Sequence, residues 1–144
     1  MVIRIKRLLL TLLAVPMLLV GERLTVNNET DQHLYAAVYY VPFCGKVNKA
    51  SEVLSLPAKA HVSLSRPAQR IGSDHRLLIL PHLNFPCTFT TSTFKAAGPS
   101  INVGAVQSKK FYIGTQQGQL RGYNEGEWHQ RGKLRDSTNS RKKN

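Results

Sequence analysis

Five histidines, eight acidic residues and two cysteines are the side chains of this 144-residue chain most able to do chemistry. Their spacing argues against most kinds. His33, His61, His75, His82 and His129 form no HxH, HExxH or Cys–His pair at ligand spacing, so no metal or other cofactor is expected. Ser73-Asp74-His75-Arg76 sets the residue types of a hydrolase triad side by side. Adjacent side chains point apart, so the stretch reads as a polar loop entering a strand, with an Asp74–Arg76 pair. A glycosidase needs two carboxylates facing each other across a cleft. Here most acids fall in turns or near the ends, and Glu125 and Glu127 share one side of a single expected strand. The glycines of "GTQQGQLRG" precede no GK[ST] and no helix, and read as hairpin glycines. A small hydrolase is therefore the least supported functional class, and catalysis is not expected.

Binding has more support. Leu34 to Val41 is apolar on both faces of a strand. Leu34, Ala36, Val38 and Tyr40 share one face; Tyr35, Ala37, Tyr39 and Val41 share the other. Tyr35 and Tyr39 would stand roughly 13 Å apart, so Tyr35, Tyr39 and Val41 form a possible platform for a sugar or peptide. They could equally pack under the proline-rich stretch "PHLNFPC". Near the C-terminus, Arg131, Lys133, Arg135, Arg141, Lys142 and Lys143 face only Asp136. That cluster could attract nucleic acid, an acidic polysaccharide or an anionic membrane, with strong salt dependence. It lacks aromatic stacking partners, so sequence-specific nucleic-acid binding is not expected. Asn28-Glu29-Thr30 is a glycosylation sequon in an expected surface turn.

The elements that must position these residues follow from length, charge and patterning. Arg4, Lys6 and Arg7 precede the apolar run Leu8–Val20, the plan of a secretory signal. The run is shorter than the ~20 residues of a membrane span. Leu19 makes a poor cleavage site, so residues 1–21 read as a signal peptide or an uncleaved N-terminal anchor. Export places the protein in a secreted or periplasmic setting, where Cys44 and Cys87 would form a disulfide. Closing so long a loop would contribute about 3–4 kcal/mol. The net charge is +12, but between Glu22 and Trp128 eleven basic residues meet seven acidic ones. The central segment is only mildly basic.

That segment alternates in period two and is punctuated by turn residues, the pattern of strands. "RLTVN", "HLYAAVYYV", "EVLSL", "HVSLSR", "RLLIL", "INVGAV", "KKFYIGT" and "LRGYN" read as strands, with "RLLIL" buried on both faces. "TFTTSTF" reads as an edge strand, and "EGEWHQR" as a last short strand ending at Trp128. The expected fold is all-β: an antiparallel β-sandwich of seven to nine short strands over residues 22–130, with a disordered basic tail at 131–144.

The opening pattern, an apolar strand followed by "NNET" and "LYAAVYYV", resembles the start of small exported β-sandwich proteins, including the thaumatin-like and aegerolysin-like groups. The resemblance covers about 20 residues and lacks the many cysteines of thaumatin-like proteins. It implies a fold class and carries no functional residue. Together these features predict a non-catalytic secreted or periplasmic interaction module whose partner is an extracytoplasmic protein or glycan. The alternative is a binder of anionic polymer or membrane surface, acting through the tail.

Overall fold

The computed structural model of the protein describes residues 22–67, 72–104 and 108–131. The expected signal or anchor (residues 1–21) and the tail beyond Arg131 lie outside the described residues. Ten strands run in the order β1 (Arg23–Asn28), β2 (Leu34–Pro42), β3 (Val47–Lys49), β4 (Leu54–Leu56), β5 (His61–Ser65), β6 (Ser73–Leu80), β7 (Thr88–Phe89), β8 (Ser100–Asn102), β9 (Lys110–Gln116) and β10 (Gln119–Asn124). Among the described residues there are also two short helices: α1 (Thr91–Ala97), between β7 and β8, and α2 (residues 125–131), after β10.

Sheet A has the order β10-β9-β1-β5, and sheet B has β7-β3-β2-β6-β8 with β4 also on β2. The ladders are antiparallel with one exception, β1 beside β9, which run parallel. The expected sandwich is thus present, but it is not wholly antiparallel. The parallel pair has a topological reason: β1 and β9 are distant in sequence, so no hairpin constrains their direction.

Alternation makes the core. Leu24 and Val26 of β1, Leu64 of β5, and Phe111 and Ile113 of β9 meet Leu34, Ala36, Val38, Leu56, Leu77 and Ile79 of sheet B. A second apolar cluster lies on the far side of sheet B, where Ala37, Tyr39, Val47, Leu78 and Leu80 pack with Phe85 and Phe94. Sheet B is therefore buried on both faces. β2 from Leu34 to Tyr39 and β6 from Leu77 to Leu80 need this, because their residues alternate between the two clusters.

β3 and β4 share one edge of β2 in series. Between them the Ser51 hydroxyl accepts from the Val38 amide at 2.8 Å, and the Ala50 amide donates to the Val38 carbonyl at 2.7 Å. The break in the edge leaves no orphan on β2 at Val38.

Two segments read as strand are helical in whole or in part: of "TFTTSTF", Thr88–Phe89 forms the edge strand β7 and the remainder from Thr91 is helix. Thr91–Ala97 is preceded by Thr90, whose hydroxyl accepts from the Thr93 amide, while the Thr93 hydroxyl accepts from the Thr90 amide. That capping box starts a helix in a segment whose β-branched composition favours a strand. Phe94, its one buried residue, fixes it to the second cluster. At residues 125–131 the Asn124 side chain accepts from the Glu127 amide at 2.8 Å, and Glu127 accepts from the Asn124 amide at 3.3 Å. The "NEGE" stretch carried this signal in the sequence. β6 also begins at Ser73 rather than Arg76, and Arg76 turns to Ser100 on β8 (2.7 and 3.0 Å) rather than to Asp74.

The expected disulfide is absent: Cys44 and Cys87 are free and exposed. Cys87 sits opposite Lys49, whose amide donates to its carbonyl at 2.9 Å. Cys44 lies in the turn before β3, at that strand's other end. The residues of β3 stand between them, so the two thiols flank opposite ends of that strand rather than facing each other.

The sequon is also not a surface site. Asn28 is 1% exposed. Its amide donates to the carbonyls of Gln32 (2.8 Å), Leu56 (2.9 Å) and Pro57 (3.1 Å), and its oxygen accepts from the amide and hydroxyl of Thr30. One side chain ties the end of β1 to the β1–β2 turn and to the turn after β4, and leaves no room for a glycan.

Two outcomes follow from these contacts. In the native protein without reductant, both thiols should react with a maleimide; labelling only after reduction would restore the disulfide. Asn28→Ala strands several buried carbonyls and should lower unfolding free energy by about 2–4 kcal/mol in urea titrations, where an exposed turn residue would cost under ~0.5 kcal/mol.

Candidate functional site

The tyrosine platform does not form. Tyr39 is fully buried. Its hydroxyl donates to the Pro86 carbonyl, and its ring meets Phe89 and Phe94 edge-on or tilted, at 5.2 and 5.4 Å. The "PHLNFPC" stretch thus covers it, with Phe85 in the same cluster. Val41 packs against that cluster too. Tyr35 is half-buried, stacked on His33 at 4.9 Å, and His33 is held by Ser55 at 2.7 Å. Burial, with a smaller contribution from Cys87, pushes the Tyr39 phenol up to about 12.

Of the basic cluster, only Arg131 is described, and it belongs to the folded domain. It lies in α2, donates to the Thr115 carbonyl at 2.7 Å, and spreads over the Trp128 and Tyr123 rings at 5.0 and 5.3 Å. It is a packing residue, not a free contact for a polyanion. Lys133, Arg135, Arg141, Lys142 and Lys143 lie outside the described residues.

The open surface is elsewhere, on the outer face of sheet A. Because β1 sends Leu24 and Val26 inward, Arg23, Thr25 and Asn27 project outward. The register places Asn27 between His61 on β5 and Tyr112 on β9, and Thr25 between Ser63 and Lys110. Two rows of three side chains result. Adjacent strands are about 5 Å apart and the rows about 7 Å apart, so the grid covers about 10 by 7 Å. Thr25, Asn27, His61, Lys110 and Tyr112 line a cleft of about 250 Å³.

α2 walls one side. Tyr112 stacks on Trp128 with ring centroids 5.1 Å apart and planes 3° from parallel. His129 meets the Tyr112 ring at 6.5 Å and lies 3.8 Å from Glu125. Close approach of the helix requires Gly114: a Cβ there would stand 2.9 Å from the Arg131 guanidinium and 3.0 Å from the Trp128 ring.

The polar groups of the cleft are largely uncommitted. The Asn27 amide nitrogen donates to the Phe111 carbonyl at 3.2 Å, which fixes the side chain and leaves its oxygen as an acceptor. Among the described residues, Thr25, His61 and Lys110 make no side-chain hydrogen bond or ion pair. None of the five lining side chains is acidic, and no three His, Cys, Asp or Glu residues gather as a metal site among the described residues. The cleft offers hydroxyl, amide, imidazole, ammonium and phenol groups on a rigid sheet.

The sequence marks each of these residues as outward-facing, but not as neighbours. His61 and Lys110 are separated from Thr25 by 36 and 85 positions. They meet because β1 takes β5 on one side and β9, in parallel, on the other. A parallel pairing of distant strands leaves no local sequence signal.

Comparison with protein-family models, with curated proteins and with solved structures finds no match. The chemistry of the cleft rests on its own geometry.

A direct check separates buried Tyr39 from a surface role. The folded phenol, raised above the ordinary 10 of an unfolded chain, binds its proton more tightly than the unfolded one. Its stabilising contribution is complete below pH ~10 and falls as pH rises toward about 12. Tyr39→Phe should therefore cost about 1 kcal/mol near neutrality through the lost hydrogen bond, and flatten the alkaline decline seen in denaturant titrations. A variant with an unchanged alkaline limb would remove Tyr39 as its cause.

Proposed function

We propose that the chain is a non-catalytic binding module that acts outside the cytoplasm and holds a saccharide on the outer face of sheet A. The observation that carries this is the cleft at Thr25, Asn27, His61, Lys110 and Tyr112, where uncommitted polar groups stand at strand spacing beside a stacked aromatic pair. A sugar ring presents hydroxyls that donate and accept in turn. Asn, Thr, Tyr and His side chains answer both roles. Its C–H faces suit aromatic surface such as that of Tyr112 and Trp128. A peptide would gain most from main-chain pairing at a sheet edge, whereas this cleft lies across the face of three strands.

The sheet also supplies preorganisation. Asn27 is anchored to Phe111 and Tyr112 to Trp128, so binding freezes few side chains and costs correspondingly little entropy. The basic, apolar N-terminus at residues 1–20 supports an extracytoplasmic setting, where free saccharides and cell-surface polymers are met.

The test is a titration of the isotope-labelled domain with a panel of neutral and acidic oligosaccharides, read by amide chemical shifts. Shifts should centre on Thr25, Asn27, His61 and Tyr112, and Asn27→Ala/His61→Ala should weaken binding about tenfold or more, as loss of two hydrogen bonds implies, without lowering the unfolding midpoint appreciably. Binding that survives this double variant, or shifts confined to sheet B, would refute the assignment.

A further inference from the structure

We infer that the saccharide held on sheet A is acidic, of the uronic-acid type, and that Lys110 receives its carboxylate. This rests on the binding reading above and adds the identity of the group recognised. The argument starts from the fate of each cation near the cleft. Lys109 and Arg66 share Glu22, each at 3.2 Å, and Lys59 lies 3.7 Å from Asp31. Arg121 spreads over the Tyr123 ring at 5.3 Å, and Arg131 over Tyr123 and Trp128. Lys110 alone among the cleft's lining residues carries a full positive charge, and it has no acidic partner among the described residues.

Its surroundings keep that charge uncompensated. Row neighbours Thr25 and Ser63 are neutral. Two residues along β1, Arg23 holds only the Ser65 hydroxyl, at 3.2 Å. On α2, Glu125 lies 3.8 Å from the His129 ring and Glu127 accepts from the Asn124 amide. The face therefore combines one free ammonium, a second cation at its end and an imidazole with a set of neutral hydrogen-bonding groups. Those neutral groups fit the hydroxyls of a sugar, and the ammonium fits one carboxylate per ring. A densely sulfated polymer would instead call for a cluster of arginine forks, and here the arginines of the α2 half are committed to aromatic rings. The mildly basic balance of the segment from Glu22 to Trp128, eleven basic residues against seven acidic, does not oppose the approach of a polyanion.

The experiment uses the full chain and oligomers of polygalacturonate, alginate and hyaluronan, each beside its carboxyl-reduced neutral form, at low and moderate salt. At least one acid form should bind at the sheet A amides and bind more tightly than its reduced form. Lys110→Gln should weaken the acid form about fivefold, the worth of one exposed ion pair, and should weaken the neutral form distinctly less, with the unfolding midpoint unchanged. Added salt should erase the difference between acid and neutral forms.

Equal binding of acid and reduced forms would overturn the acidic inference and leave the saccharide assignment standing. So would binding only of neutral members of the panel, or a Lys110→Gln variant that binds the acid forms as tightly as the parent. Preference for heparin over every uronate without sulfate would overturn it in favour of a sulfated ligand. If no saccharide moves the sheet A amides, both readings fall together.

Discussion

The constraint on which the rest of the structure depends is the burial of β2 on both faces. Every residue from Leu34 to Tyr39 except Tyr35 is buried, and each face would expose a contiguous apolar patch if left alone. Covering a Leu- or Tyr-sized side chain stabilises the fold by about 1.5–3 kcal/mol, so two uncovered faces would forfeit much of a small domain's margin of about 5–15 kcal/mol. Sheet A covers one face. β7, α1 and the proline-rich stretch before them cover the other through Phe85, Phe89 and Phe94. The molecule is thus three layers deep around one sheet, and the short helix α1 exists because Phe94 must reach Tyr39.

Much of this was legible residue by residue. The two faces of β2, the two-sided burial of "RLLIL" and the inward Val62 and Leu64 of β5 all follow from period two alone. The sequence also raised the option that "PHLNFPC" covers the tyrosines, and the hydrogen bond from Tyr39 to Pro86 realises it. The segments that read differently from their structure have common physical causes. Thr90–Thr93 and Asn124–Glu127 are reciprocal caps, and each outweighs a strand-like or ambiguous composition by satisfying amides that a strand would pair elsewhere. Asn28 reads as a sequon in a turn because sequence spacing cannot tell a side chain facing water from one facing three carbonyls. The cysteine pairing was inferred from redox logic, whereas bond formation depends on where β3 places its two ends.

Asn28 also bears on the cleft. It follows Asn27 directly, and its bonds to Leu56 and Pro57 fix the end of β1 against the turn that leads into β5. The Asn28 amide donates to the Ala60 carbonyl at 2.9 Å, immediately before His61. The spacing of Asn27 and His61 is therefore set by a buried polar network below the surface, not by contacts between the two side chains. Such a network is rigid only because each member is satisfied. It leaves the outward groups free to meet a ligand without rearrangement.

The location of the open surface follows from how the layers are closed. Sheet B spends its outer face on the second apolar cluster, so no recognition surface can remain where the tyrosines are. Among the described residues, sheet A's outer face is covered on its β9–β10 side, where α2 lies on Gly114, Tyr112 and Tyr123. A small residue at position 114 admits the helix, and Gly122 on the opposite face admits Ile101, against which a Cβ would collide. The helix therefore ends its coverage at Tyr112, and β1 and β5 carry threonine, asparagine, histidine and serine outward with no element packed above them among the described residues. A face that needs no cover is one built from side chains that water can already satisfy. A ligand gains there only by replacing that water with matched hydrogen bonds and an opposite charge, so specificity at such a site depends on polar matching more than on buried apolar area.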